Sequence, residues 1–292
     1  MSPLSQLQPS AYMLTDDTFR DEDAHLYKLF VYIGANELAY VIYDTKQDRY
    51  ISIQTKNIDS GNNEELLIKA LNTFIAEQAS LSLTNYAKVQ VLVDVNEATL
   101  MPDALFNADY KKDYLQFNVA LAENNIVLEE RINCIEAHCV FSVSTSLEKA
   151  IKKAFPSASI GHQCTALIAT AISESTAVAY DIVFLQFRNT SFDIVIVKEG
   201  VLKLYNTHYY STVEDVMYHL LFAMQQMDLE QDKVLLRLCG NIHPTGALYG
   251  ALQTYIKYVD FAERHDPMQY SYVLVDVPAY EHYSLLNRHL CE

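Results

Sequence analysis

The sequence is poor in glycine. Only 7 of its 292 residues are glycine. Loops that wrap backbone N–H groups around phosphate groups normally use glycine, because the backbone must adopt positive φ angles and approach the ligand closely. The composition therefore leaves little room for phosphate-binding loops of this kind.

Basic residues are scarce relative to acids. The chain carries 21 lysines and arginines against 37 aspartates and glutamates, so its formal net charge is −16. A field of this sign repels phosphate backbones and anionic lipid surfaces. We therefore expect neither a nucleic acid nor a membrane surface as a partner, and we expect a protein partner instead.

Paired cysteine motifs are missing. The five cysteines form no CxxC pair and their number is odd, which is typical of reduced thiols in a cytosolic protein. Cys134, His138 and Cys139 lie close together in the sequence, but no second cluster of ligands accompanies them. We interpret them as buried small side chains and expect no metal; a zinc site is the alternative.

Long apolar runs are also missing. Residues 1–23 contain no apolar segment and end in an acidic run, which argues against a signal peptide. No stretch approaches the ~18 uninterrupted apolar residues that a membrane span requires. We predict a cytoplasmic protein without membrane insertion. Residues 1–25 are predicted to form a flexible tail, with local order around residues 11–14.

What the sequence does contain is a packed globular composition and a repeat. Half of the residues are hydrophobic, and the length suffices for two domains. Residues 26–43 and 179–196 each read as a strand, a turn with an asparagine (Asn36 or Asn189) and a second strand. We expect these two hairpins to face each other across an interdomain cleft.

Further elements follow both hairpins in the same order, β-β-β-α-β-α-β-α. In the first copy we predict strands at 26–34, 37–44, 49–55, 89–95 and 137–143. We predict helices at 66–75, 147–155 and 165–175, and a helical turn at 99–102. Residues 107–135 are polar, have no counterpart in the second copy and are read as an insertion. In the second copy we predict strands at 180–187, 192–198 and 201–206, a helix capped by Thr212, a strand at 234–238, a helix capped by Thr245, a strand at 272–277 and a helix at 279–290.

This order, together with the segments 99–106, 114–118, 209–221 and 236–242, resembles a known family. It is similar to the duplicated actin-like ATPase fold (a ribonuclease H-like fold), and in particular to an uncharacterised Bacteroidetes family called domain of unknown function 3822 (DUF3822). The resemblance covers about residues 26–290. It implies an α/β fold of two actin-like domains, 26–178 and 179–292, each with a mixed sheet flanked by helices.

The nucleotide motifs of this fold are degenerate here. Working members carry Asp-x-Gly-Thr/Ser in the first hairpin, and this chain has Tyr-Ile-Gly-Ala at 32–35. The second hairpin is expected to hold Asp-x-Gly-Gly-Gly-Thr, and residues 186–191 are Gln-Phe-Arg-Asn-Thr-Ser. Mg²⁺ is usually held through carboxylates, and phosphoryl transfer depends on that positioning. The resemblance therefore implies a lost ATPase activity and no catalytic residues.

Some candidate site residues remain. If the cleft still holds ATP or ADP, the resemblance points to Gly34, Arg188, Thr190 and Gly240 as its contacts. In the alternative interpretation Arg188 is a solvated turn residue and Thr190 satisfies backbone groups of the turn. His162 and Cys164 could form a nucleophile–base pair, but no third orienting residue is evident, and the start of a helix explains both.

The sequence thus predicts a non-catalytic, actin-like protein-interaction or assembly module without a cofactor. An ATP- or ADP-binding protein with weak or no hydrolysis is the alternative. An enzyme of unrelated chemistry in the same cleft is a third class, which no motif supports. Fold resemblance does not transfer activity.

Overall fold

The computed structural model describes residues 11–61, 63–178, 180–264 and 269–291. In this part of the chain most strands form three sheets, two of them mixed and one antiparallel. Helices flank the mixed sheets, so the protein has the α/β architecture that the sequence predicted.

The first mixed sheet is built on a three-stranded meander. Its strands are β2 (Tyr27–Ile33), β3 (Glu37–Asp44), β4 (Arg49–Asn57), β5 (Lys88–Val93) and β9 (Ser159–His162). They lie in the order β4-β3-β2-β5-β9, with β5 and β9 added in parallel. β3 is buried at seven successive positions, as expected for a strand that is covered on both faces.

The second mixed sheet repeats this arrangement. Its strands are β10 (Asp181–Phe187), β11 (Ser191–Lys198), β12 (Val201–Tyr209), β13 (Val234–Gly240) and β14 (Tyr258–Phe261), in the order β12-β11-β10-β13-β14. The meander is again antiparallel, and β13 and β14 are again added in parallel. The two predicted hairpins therefore occupy corresponding positions in two separate sheets, as a duplicated fold requires.

A small antiparallel sheet interrupts the first unit. It consists of β6 (Ala98–Pro102), β7 (Asn125–Ile132) and β8 (Ala137–Ser144), with β8 in the centre. The predicted helical turn at 99–102 is wrong, because these residues pair with β8. Pro102 ends this edge strand, where a missing N–H costs no ladder hydrogen bond. The predicted insertion at 107–135 supplies a short helix, α2 (Lys111–Gln116), and β7.

The described residues contain five longer helices, and three of the five begin after a capping side chain (Asn63, Ser144 or Thr212). They are α1 (Glu64–Glu77), α3 (Thr145–Ala154), α4 (Cys164–Ala177), α5 (Val213–Gln226) and α6 (Ala247–Tyr255). Thr212 caps α5 as predicted and forms a capping box with Asp215. The cap of α6 is Gly246 and not the predicted Thr245, whose hydroxyl contacts His243 instead. Among the described residues, no helix is both long and apolar enough to cross a membrane.

The amino-terminal segment is part of the first sheet. β1 (Met13–Thr15) pairs with β4, and the side chain of Asp16 is buried. Asp16 accepts hydrogen bonds from the Thr18 amide, at 2.7 Å, and from the Ser271 hydroxyl. The local order predicted around residues 11–14 is present, the prediction of a flexible tail is wrong for residues 15–25, and residues 1–10 lie outside the described residues.

The carboxy-terminal segment bridges the two mixed sheets. The predicted strand at 272–277 is wrong, because Tyr272–Leu274 is a 3₁₀ turn, and β15 (Gln269–Tyr270) pairs with β4 of the first sheet. The predicted helix at 279–290 shortens to α7 (Tyr283–Leu286), followed by a 3₁₀ turn. Arg288 is fully buried against Gln90 of β5. The sequence predicted a second domain that ran to residue 292. In the structure, the carboxy-terminal segment also contacts the first sheet.

Candidate functional site

A cleft of about 790 Å³ lies where the two hairpin turns meet. The β2–β3 turn lines one side with residues 34–37, and the β10–β11 turn lines the other with residues 188–191. Gly34, Arg188, Thr190 and Gly240, the four residues singled out from the sequence, all line this cleft. Whether they bind a nucleotide stays a prediction.

Arg188 is held in place by an acidic residue of the neighbouring strand. Its Nη1 and Nη2 donate to the two carboxylate oxygens of Asp193, at 2.7 and 2.8 Å, and its Nε donates to Ser191 Oγ at 2.9 Å. The side chain is 14% exposed. The interpretation of Arg188 as a solvated turn residue is therefore wrong, and its charge is largely neutralised inside the protein.

Asp193 is the centre of a buried polar network. Besides Arg188 it accepts hydrogen bonds from Thr207 Oγ1 and Gln163 Nε2, both at 2.6 Å. Burial raises the pKa of Asp193, but the charge of Arg188 and these hydrogen bonds outweigh burial and hold it below its usual value. Sequence reasoning missed this residue. The available signal was an acidic residue within the apolar run of β11.

The acid of the second nucleotide motif is replaced by a glutamine whose amide nitrogen and oxygen are both hydrogen-bonded. Gln186 Nε2 donates to Gln163 Oε1, and the Ser284 hydroxyl donates to Gln186 Oε1. These bonds join β10 to the start of α4 and to α7. The position that would anchor a metal in a working ATPase is thus a structural contact between elements.

Tyr32 takes the place of the acid in the first motif. Its hydroxyl donates to Asp94 Oδ2 at 2.6 Å, and burial raises the pKa of Tyr32 well above its usual value. The ring lies over Gly34, since a Cβ added to that glycine would stand 2.7 Å from the tyrosine oxygen. The glycine that survives from the first motif is therefore covered by a side chain of its own strand.

Gly240 has a structural reason to be glycine. Its φ angle is +82°, and a Cβ there would overlap the carbonyl oxygen of Phe187 on the adjacent strand. Its amide donates to the carbonyl of Tyr280 at 2.8 Å. This residue closes β13 against β10 and against the carboxy-terminal segment.

The first-hairpin side of the cleft is acidic. Glu37 lies 3.6 Å, Oε1 to Nδ1, from His282, whose pKa burial lowers to about 4. Burial raises the pKa of Glu37 to about 8, and the charges of Glu281 and Asp94 add to the effect. Sequence reasoning missed this cluster. No local pattern indicates it, because residues 281–282 come from the far end of the chain.

A second group of titratable side chains lies in the core, outside the residues that line the cleft. Cys139 Sγ and Cys164 Sγ are 3.6 Å apart, and with a ring nitrogen of His162 they offer three ligand atoms within 4.8 Å of one another. Such a set could hold a soft metal such as zinc. His162 Nδ1, however, accepts the Cys164 amide at 3.1 Å, and burial raises the pKa of Cys164 well above its usual value, which favours the thiol.

The two residues weighed as a nucleophile–base pair, His162 and Cys164, are both fully buried. The group weighed as a zinc site from the sequence, Cys134, His138 and Cys139, does not come together among the described residues. Cys134 is exposed, Cys139 is buried, and His138 lies 3.4 Å from Asp103.

Known structures share this architecture. A protein from Bacteroides thetaiotaomicron VPI-5482, described as having an actin-like ATPase fold and unknown function, superposes with a TM-score of 0.78 at 22% identity. The alignment covers 84% of this chain and 94% of that one. The PilM–PilN type IV pilus biogenesis complex gives a TM-score of 0.61 at 10% identity, covering 91% and 98%. At these identities the likeness shows the actin-like fold alone.

Sequence comparison gives the family. No curated protein matches the chain. The profile of the family described as protein of unknown function (DUF3822) matches residues 16–259, which is most of the sequence. Fold, cleft and profile agree with the resemblance seen in the sequence, and the chain belongs to the DUF3822 family.

Proposed function

We propose that this protein is a non-catalytic assembly module that uses an actin-like frame to bind another protein in the cytoplasm. The observation that carries the proposal is how the polar groups at the motif positions are used. The Tyr32 hydroxyl is bonded to Asp94, the Gln186 amide to Gln163, and the Arg188 guanidinium to Asp193. Groups committed in this way are poorly placed to bind a metal or a phosphate.

Charge supports the same proposal. The cleft lining contains the carboxyl groups of Glu64, Asp94, Glu97 and Glu281, and that of Glu37 with its raised pKa, against the guanidinium of Arg188. ATP hydrolysis depends on positive groups that neutralise the transferred phosphoryl group. A cleft with this excess of acids repels a triphosphate, so we propose neither a nucleotide cofactor nor catalytic residues.

An assembly role is compatible with what this frame does elsewhere. The similar PilM structure was solved as part of a complex with PilN, in type IV pilus biogenesis. That partnership belongs to PilM, and this chain shares only the fold with it. The comparison supports the idea that an actin-like frame can act by binding another protein.

A nucleotide-binding protein without efficient hydrolysis is the second candidate. The cleft volume of about 790 Å³ favours it, since it lies within the ~300–1,000 Å³ that is usual for ligand pockets. Gly34, Arg188, Thr190 and Gly240 would then contact ATP or ADP. Gly34 and Gly240 would offer backbone contacts, and Arg188 would have to share its charge with Asp193.

A thermal-shift measurement with Mg²⁺-ATP separates the two candidates. A ligand at about a hundred times its Kd stabilises the native state by roughly 2.7 kcal/mol, which raises the Tm by several degrees. We expect a shift below about 1 °C and no release of phosphate above background. A saturable shift with little or no phosphate release would favour the second candidate, and efficient hydrolysis would contradict both.

The assembly role has its own test. In a lysate of the native organism the protein should elute from a sizing column in a particle larger than the purified chain. If it elutes in the lysate where the purified chain does, the proposed assembly is wrong.

A further inference from the structure

Three buried polar atoms in the cleft lack a hydrogen-bond partner among the described residues. They are Glu37 Oε1, Asp94 Oδ1 and His282 Nε2. The side chains of Asp94 and His282 are only 6% and 5% exposed. Leaving such atoms without partners in the folded protein is unfavourable, so a ligand that donates hydrogen bonds to them would stabilise the site.

The protonation of His282 makes its free nitrogen an acceptor. Burial lowers its pKa to about 4, so the ring is neutral at pH 7 and carries one N–H. Nδ1 is the nitrogen that faces Glu37, at 3.6 Å, and the proton is best placed there. Nε2 then has a free lone pair, as the two carboxylate oxygens do.

A guanidinium or ammonium group complements these three acceptors. Both groups carry only N–H donors and no acceptor, and guanidinium matches carboxylates with a planar array of donors. Arg188 does not fill this role, because its donors go to Asp193 and Ser191, and its Nη1 stays 3.4 Å from Asp94 Oδ1. Asp193 balances Arg188, so the charges of Asp94 and Glu281 are left over, and Glu37 adds a further negative charge when it is ionised.

We propose that the cleft binds a guanidinium or ammonium group, presented as a basic side chain by the protein partner, between Glu37, Asp94 and His282. The proposal deepens the proposed function by giving the chemistry of the partner, and it rests on that function. Glu281 contributes charge from the outer side, where its Oε2 is fixed by the Tyr12 hydroxyl at 2.8 Å.

Protonation of Glu37 gives the binding reaction a signature. The groups that face it are Glu281, Asp94, the neutral ring of His282 and the Tyr32 hydroxyl. Burial and the two acids raise its pKa to about 8, so the free protein carries a protonated Glu37 at pH 7. An arriving cation favours the carboxylate, and binding at pH 7 therefore releases about one proton. Above pH 9 the carboxylate already exists and no proton is released.

The experiment is calorimetric titration of the full chain with the acetylated, amidated tripeptide Gly-Arg-Gly, in two buffers of different ionisation enthalpy. The Gly-Lys-Gly peptide tests the ammonium group, Gly-Glu-Gly is the control, and agmatine represents a free small cation. We expect the basic peptides to bind, the acidic peptide not to bind, and the affinity to rise about tenfold per pH unit below pH 8. Binding of agmatine but of neither basic peptide would assign the site to a free cation and overturn the partner side chain.

Glu37→Gln keeps this test independent of misfolding. Removing a buried carboxyl with a raised pKa should leave the Tm at pH 9 unchanged or higher, while cation affinity falls at least tenfold and proton release disappears. Above pH 9, where Glu37 is ionised, Glu230→Gln makes the same change in net charge at an exposed site outside the cleft, and it should alter neither the cation affinity nor the proton release. Equal binding by Glu37→Gln and the unmodified protein would overturn the proposal.

The outcomes also separate the two levels of inference. If neither the basic peptides nor Mg²⁺-ATP binds, the cation site is wrong and the non-catalytic module stands. If Mg²⁺-ATP binds and the basic peptides do not, both are wrong.

Discussion

Replacing Asp193 with asparagine tests whether the buried network holds the second hairpin together. The substitution preserves the shape of the side chain but leaves the Arg188 guanidinium without its bidentate partner. Breaking a buried ion pair by removing one partner costs about 3–5 kcal/mol. Asp94, whose Oδ1 lies 3.4 Å from Arg188 Nη1, takes up part of the charge, so we expect the lower end, about 3 kcal/mol.

Urea denaturation of both proteins measures this difference, with Glu230→Gln as the control. Lys233 and Glu230 form an exposed pair, with side chains 68% and 62% accessible, and such pairs contribute little to stability. In a thermal scan the loss of about 3 kcal/mol corresponds to a Tm lower by about 6–12 °C. If Asp193→Asn costs no more than Glu230→Gln, the network does not stabilise the hairpin.

The pH dependence supplies a second check on the same residue. The pKa of Asp193 is lower in the folded protein than in the unfolded chain, so its ionisation stabilises the fold. That contribution is fully present above the unfolded pKa of about 3.9 and is lost as the pH falls through the folded pKa. The gap between the unmodified protein and Asp193→Asn should therefore stay constant from pH 5 to 8 and narrow only at lower pH. A gap that closes above pH 5 would refute the assignment of a lowered pKa.

Two further predictions concern the backbone strain at Gly240 and the hydrogen bonds of Asp16. Gly240→Ala should destabilise the protein by more than about 2 kcal/mol, because φ is +82° and the new Cβ overlaps the Phe187 carbonyl. Gly250→Ala, on an open helical surface, is the control and should stabilise the protein by about 0.5–1 kcal/mol. Chemical denaturation measures both changes, and equal effects would contradict the strain argument. Asp16→Ala should cost about 1.5–3 kcal/mol through its lost hydrogen bonds to Thr18 and Ser271, and a change within ±0.5 kcal/mol would restore the flexible-tail interpretation.

Local patterns were sufficient to predict the two meanders. Alternating and continuous apolar runs identify strands within a few residues, and the same order of elements after Asn36 and Asn189 implies two similar sheets. Thr212 at the start of α5 was predicted for the same reason, since a cap and its acidic partner lie three residues apart. Each of these signals lies within one turn or one strand of the feature it predicts.

The cleft could be predicted only in part. Gly34 and Gly240 were singled out as remnants of motifs, but the contacts that explain them, the Tyr32 ring and the Phe187 carbonyl, depend on how strands approach one another. The cluster around Glu37 and His282 joins residues from the first and the last fifty positions of the sequence, and no periodicity connects them. The β6 strand was missed because Pro102 also suits the first turn of a helix.

Two segments that are far apart in the sequence meet on one strand, and this has a consequence for synthesis. Both β1 (Met13–Thr15) and β15, near residue 270, pair with β4. Asp16 accepts a hydrogen bond from Ser271, which lies 255 positions away in the sequence. While the ribosome is still adding the second unit, the first sheet lacks this last strand and the buried Arg288. The nascent chain must therefore stay soluble with an unfinished edge until those residues have been made, and contacts of such large sequence separation make their docking slow. The first sheet should therefore be complete only after residues 269–288 have left the ribosome.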